Sequence, residues 1–111
     1  MSAEESESKV SKAADIWSIG CILCEMYRGK PMFTPCPYPQ YQLNEIFTIM
    51  GTPSTIIASN TSVPYCKPRD FSKVCKTIDE KGLDLLRKMV VLDPTHRISA
   101  EDALKHSYFT D

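Results

Sequence analysis

The chain has 111 residues, 13 basic and 14 acidic side chains and a net charge of −1. That is long enough for one soluble globular unit with its own core, and neither sign is in excess to draw it to nucleic acid or to an anionic membrane. The opening Met-Ser-Ala-Glu-Glu-Ser-Glu-Ser lacks the basic start and apolar run of a secretion signal, so the expected location is intracellular, cytoplasmic or nuclear.

Residues 1–12 are polar and acidic without periodicity and read as a disordered lead-in. The stretch Asp15 to Tyr27 that follows has no proline. Its apolar residues Ile16, Trp17, Ile19, Cys21, Ile22, Leu23, Cys24, Met26 and Tyr27 cover the whole circumference of a helix. Such a helix belongs inside a protein or a membrane. A spanning helix needs about 20 predominantly apolar residues, and Arg28, Gly29, Lys30 and Pro31 end this one early. It is therefore expected to be a buried core helix.

Five cysteines, Cys21, Cys24, Cys36, Cys66 and Cys75, form an odd set in a chain without an export signal and read as reduced thiols. Cys21 and Cys24 make a C-x-x-C, but they stand mid-helix with no second cysteine pair, whereas zinc sites need four converging ligands. Burial as small hydrophobes is the expected role, with no metal site.

Pro31, Pro35, Pro37 and Pro39 make the next segment a loop, which Met32 and Phe33 can fold back onto the core. Leu43, Ile46, Phe47 and Met50 then fall at i, i+3, i+4 and i+7, one face of a helix from about Gln40 that Gly51 and Pro53 stop. From Ser54 to Lys76 no regular structure can be assigned. A third helix is expected from about Asp79, its cap, to Leu92, with Leu83, Leu86, Met89 and Val90 inward, Leu85 and Leu92 flanking, and Asp93-Pro94 as the stop. Ser99-Ala-Glu-Asp102 is a capping-box variant opening a short fourth helix through His106, and Tyr108 and Phe109 form an aromatic anchor. The expected class is all-α, four helices joined by proline-rich loops.

Five segments, Asp15-Ile-Trp-Ser-Ile-Gly-Cys21, Pro31-Met-Phe33, Glu45-Ile-Phe-Thr-Ile-Met-Gly-Thr-Pro53, Asp79-Glu-Lys-Gly-Leu-Asp-Leu-Leu86 and Asp93-Pro-Thr-His-Arg-Ile-Ser-Ala100, occur in this order. Together they resemble the C-terminal lobe of eukaryotic protein kinases, in the branch holding cyclin-dependent and mitogen-activated kinases. Asp79 to Leu86 and Arg97 to Ala100 look closer to the cyclin-dependent side. The resemblance implies that residues 13–111 form a partial kinase domain: a central buried helix plus three further helices, without the N-terminal lobe and catalytic loop.

The resemblance also implies roles. Asp15 matches the aspartate that opens the central helix and bonds the catalytic-loop backbone. Trp17 and Gly20 match structural anchors of that helix, and Arg97 matches the arginine paired with the glutamate of the Ala-Pro-Glu motif. Glu25 matches a position where some kinases contact basic substrate residues, although a structural carboxylate fits this branch better. Tyr41, Leu43 and Phe47 fall on a surface where the family docks protein partners, a regulatory subunit or docking protein.

Phosphoryl transfer by a kinase needs a glycine-rich loop, a strand lysine, a catalytic-loop aspartate and asparagine, and a metal-binding Asp-Phe-Gly. None is present: His96-Arg97 is followed by Ile98, and Asp70-Phe71 by Ser72. No catalytic, cofactor-binding or metal-binding residue is therefore expected in this chain, and ATP and magnesium are implied only for a complete kinase. The expectation is a fragment of a Ser/Thr, proline-directed kinase, inactive alone, with Asp15 and Arg97 lacking their partners and an apolar patch exposed around Trp17 and Tyr27. Alternatives are a non-catalytic protein-interaction module and a decayed kinase remnant.

Overall fold

The computed structural model describes residues 3–59 and 65–110, and among them the regular structure is entirely helical. The first helix, α1, runs from Ala3 to Arg28. It thus takes in ten residues of the expected lead-in, from Ala3 to Lys12. These contain no proline or glycine, and Glu4 and Glu5 in the first turn suit the positive end of the helix macrodipole. Described side chains from Glu4 to Lys12 are exposed, so backbone propensity and not packing shapes this half.

The end of α1 is set by Gly29, whose φ of +79° takes the left-handed conformation common after a helix. Arg28 Nη1 then donates to the carbonyls of Pro31 and Met32, both at 3.1 Å. This turn delivers Met32 into the core and Phe33 onto Trp17, where the rings stack 5.5 Å apart and 3° from parallel. Gln42 closes the rest of the proline loop, accepting from Cys36 N at 2.8 Å and donating to Thr34 O at 3.3 Å.

Pro39 begins α2, Pro39–Met50, which buries Phe47 and Ile49. Leu43, expected on its inner face, is exposed. In the segment from Ser54 to Lys76, the described residues are tied by backbone bonds that side-chain periodicity does not report. A short α3 spans Ser54–Ser59, and residues 60–64, inside that segment, lie outside the described residues. The returning strand of chain bonds back to the end of α2, with Thr52 N donating to Cys66 O and Arg69 N to Ile49 O, both at 2.9 Å. Asp70 caps α4, Phe71–Val74, through Ser72 N at 3.0 Å.

Asp79 caps α5, Glu80–Met89, through Gly82 N at 3.0 Å. The helix stops three residues short of the expected Leu92, and Leu85, expected on its flank, is fully inside. A 3-10 turn at Pro94–His96, capped by Asp93, leads to α6, Ala100–Leu104, and α7, Ser107–Thr110. Ser99 accepts from Asp102 N at 3.1 Å, but the reciprocal bond from Asp102 does not form among the described residues. Of the two terminal aromatics, Tyr108 is the anchor, its hydroxyl 2.9 Å from that of Tyr27, while Phe109 is exposed.

The core lies where α1 packs along α5, with α4 and α7 also against α5. Gly20 permits that approach, because a Cβ there would stand 2.7 Å from Val90 Cγ2 and 3.0 Å from Met89 Cβ. Cys24 and Cys75 meet in this core, and burial with the neighbouring Cys75 thiol pushes Cys24 up to about 12. All five cysteines are free thiols.

Candidate functional site

Four matched residues gather around the middle of α1. Because α1 begins at Ala3, Asp15 lies inside the helix and not at its start, so the macrodipole has no end charge for it to complement. Its carboxylate is exposed and makes no hydrogen bond among the described residues. Glu25 is likewise on the exposed side.

Arg97 differs from the expectation of a stranded cation. Its Nε donates to Val91 O at 2.7 Å, Nη1 to Ala13 O at 3.0 Å and Nη2 to Leu92 O at 3.3 Å. Its guanidinium carbon sits 4.9 Å from the centre of the Trp17 ring. The planar fork therefore takes up carbonyls that would otherwise lie free beyond the end of α5, and it ties that turn to α1. Partial burial pulls the Arg97 pKa down from its usual value.

Trp17 is half-buried between these contacts and Phe33, and Tyr27 is half-buried by its bond to Tyr108. The expected apolar patch is thus not at Trp17 and Tyr27. It lies on another side of the same helix, where Ile19, Ile22 and Met26 are 51%, 56% and 76% exposed. A separate groove of about 530 Å³ runs between Lys9, Val10, Ala13 and Ile16 on α1 and the Pro94–Ala100 turn.

The three candidate docking residues of α2 do not form one surface. Tyr41 and Leu43 are exposed, whereas Phe47 is in the core. Sequence reasoning missed a polar contact between α5 and the bend that precedes α7. His106, its side chain 7% exposed, has Nε2 2.6 Å from Asp84 Oδ2 and accepts from Tyr108 N at Nδ1. With Nδ1 accepting, the ring proton belongs on Nε2, donated to the carboxylate. No group of three or more His, Cys, Asp or Glu is placed to hold a metal among the described residues, and none of their helices is long and apolar enough to cross a membrane.

Residues 3–109 match the model of the protein kinase domain. The chain belongs to the protein kinase domain family. It is 45% identical to the mitogen-activated protein kinase mpkC of Neosartorya fischeri, over 85% of this chain and 27% of that protein. The mpkC kinases of Aspergillus fumigatus and Aspergillus clavatus are 47% and 46% identical, over 85% of this chain and 28% and 27% of theirs. The kinase chain thus spans a little over a quarter of the length of the curated relatives it matches.

These relatives are mitogen-activated kinases, and the leaning toward the cyclin-dependent side is not supported. The segments behind that leaning explain why. Asp79 caps α5, Leu85 and Leu86 fill the core, Arg97 holds the turn and Ser99 caps α6. They cap helices, fill the core and hold a turn, so they report the architecture of the fold.

Proposed function

We propose that this chain is a segment of the C-terminal lobe of a Ser/Thr protein kinase of the mitogen-activated type. In this reading it takes part in proline-directed phosphoryl transfer from ATP only together with catalytic residues that its 111 residues do not contain. The observation carrying the proposal is the open row Ile19, Ile22 and Met26 on the central helix of a kinase-family chain. Side chains of this kind are each worth about 1.5–3 kcal/mol when buried, and the rest of a kinase lobe supplies the cover. The same reading makes the chain an intracellular protein, for which five free thiols are the supporting chemistry.

Incubated alone with ATP, magnesium and a proline-directed substrate peptide, the chain is expected to incorporate no phosphate, and ATP is expected to leave its thermal transition unmoved. A longer polypeptide that also supplies the glycine-rich loop, the strand lysine, the catalytic-loop aspartate and asparagine and the Asp-Phe-Gly segment is expected to be active. Transfer by the chain alone would overturn the proposal.

A second reading rests on the exposure of Tyr41 and Leu43: a non-catalytic module that docks a regulatory or scaffold protein. It requires that a Tyr41→Ala, Leu43→Ala variant lose binding to a partner of the related kinases while keeping the fold.

A further inference from the structure

Where α1 ends, Arg28 and Lys30 face Lys73 and Lys76 across a cavity of about 340 Å³ completed by Tyr27, Val74 and Thr77. No acidic side chain lines it. None of the four cations joins an ion pair among the described residues, although Arg87, Lys88 and Lys105 each find a carboxylate elsewhere. Asp79, whose charge reaches Tyr27, is committed to the Gly82 amide.

Complementing helix ends accounts for only part of this cluster. Arg28 and Lys73 stand in the last turns of α1 and α4, where a cation suits the macrodipole. Lys30 and Lys76 lie beyond those helices and still border the same cavity. In a chain of net charge −1, four uncompensated cations around one concavity mark a local site for an anion. Two residues of the wall, Arg28 and Thr77, are held by hydrogen bonds. Arg28 Nη1 is held by two loop carbonyls, leaving its other N–H groups for a ligand, and Thr77 Oγ1 donates to Tyr27 O at 2.7 Å.

We propose that this pocket binds a compact ligand carrying several phosphate groups. Three ammonium groups offer point charges to phosphate oxygens and the guanidinium offers a directed fork. The volume is at the small end of ligand sites, about 300–1,000 Å³, which suits pyrophosphate or a phosphorylated inositol ring and is too small for an extended peptide. A soluble inositol phosphate and a phosphoinositide headgroup present the same chemistry. The proposal is independent of whether the chain acts within a kinase.

The test is calorimetric titration of the 111-residue chain with pyrophosphate and with inositol trisphosphate at low and raised salt. Two double variants that remove equal charge are compared: Lys73→Ala with Lys76→Ala in the pocket, and Lys9→Ala with Lys12→Ala on the exposed first half of α1. All four side chains are exposed, and circular dichroism checks that helix content is kept. Saturable binding that the pocket pair weakens by about tenfold or more, and the control pair by no more than about twofold, is expected.

Sedimentation with phosphatidylcholine vesicles, with and without a phosphatidylinositol bisphosphate, separates the two sources. Binding to the doped vesicles that soluble trisphosphate displaces assigns the pocket to a headgroup, and binding of the soluble ligand alone assigns it to a free phosphate compound. Absence of saturable binding, equal loss in the two variants, or vesicle adsorption that trisphosphate does not displace would overturn the proposal.

Discussion

Ile16 and Ile22 are the same residue on the same helix, yet one is 4% exposed and the other 56%. The side of α1 that carries Ile16, Gly20 and Cys24 meets α5, the Arg97 turn and Met32, while the side that carries Ile19, Ile22 and Met26 meets none of the core elements. Composition made the helix apolar all round. What separates the two sides is the presence of partners, and three large side chains that are half to three-quarters uncovered forfeit about 3–5 kcal/mol of burial, against a typical domain stability of about 5–15 kcal/mol. A chain so balanced is expected to unfold at low denaturant.

The sharpest break in this comparison is a pair of identical truncations. Ile16→Ala should cost about 2–5 kcal/mol through lost contacts and the cavity left behind. Ile22→Ala should stay within about 0.5 kcal/mol of the parent. Urea denaturation of the three chains reads both. Equal costs would mean that the Ile22 side is covered, and a longer kinase polypeptide that covers it should raise the Ile22 cost toward that of Ile16.

Next in size is Arg97, which joins the closed side to the turn after α5. Arg97→Ala leaves the Val91 and Leu92 carbonyls without a donor and removes the cation from Trp17, for an expected loss of about 2–3 kcal/mol. Arg97→Lys should recover less than half of this, because a single ammonium cannot serve three carbonyls and lie over a ring. Tryptophan fluorescence followed during the melt reports the change at Trp17. Full rescue by lysine would show that charge and not fork geometry matters.

Gly20→Ala sets helix propensity against packing. Alanine favours a helix over glycine by about 1 kcal/mol, but the added methyl would meet Val90 and Met89 at the closest approach of α1 to α5. Overpacking of this kind costs about 1–3 kcal/mol, so a net loss of about 1 kcal/mol is expected. A stabilised variant would show that the two helices separate more freely than their contacts imply.

The same contrast explains what was legible in the chain. An unbroken apolar run located the second half of α1, periodicity located α2 and α5, and capping chemistry placed Asp79 and Ser99, because those signals are local. Which side of α1 is open was not legible, since all its apolar residues look alike until partners are placed. Arg97 looked stranded because its acceptors are backbone carbonyls, and the Cys66–Arg69 segment looked irregular because backbone bonds to Thr52 and Ile49 hold it. The His106–Asp84 contact joins α5 to the bend between α6 and α7, 22 residues apart, and leaves no local pattern. The matched site residues were found by resemblance, and Phe47 was grouped with Tyr41 and Leu43 because a docking surface and a packing face share the same helical spacing.

The smallest expected effect concerns the rim of the closed side, where Asp84 accepts from Lys88 and from His106. These bonds, the Lys88 one first, hold its carboxyl below the usual carboxylate range. A group depressed in the folded state stabilises fully above its unfolded pKa of about 4 and loses that contribution as pH falls through the folded value. Asp84→Asn should therefore be less stable than the parent at neutral pH, with the gap closing as urea melts are taken below about pH 4. Asp70 and Asp93 are depressed in the same direction by the Ser72 and Thr95 caps, so the parent keeps an acid-sensitive slope even when Asp84 is removed. A gap that stays constant through the acid range would mean that Asp84 contributes through shape alone, and that α7 is held in place by the Tyr108–Tyr27 bond to α1 without help from the Asp84 charge.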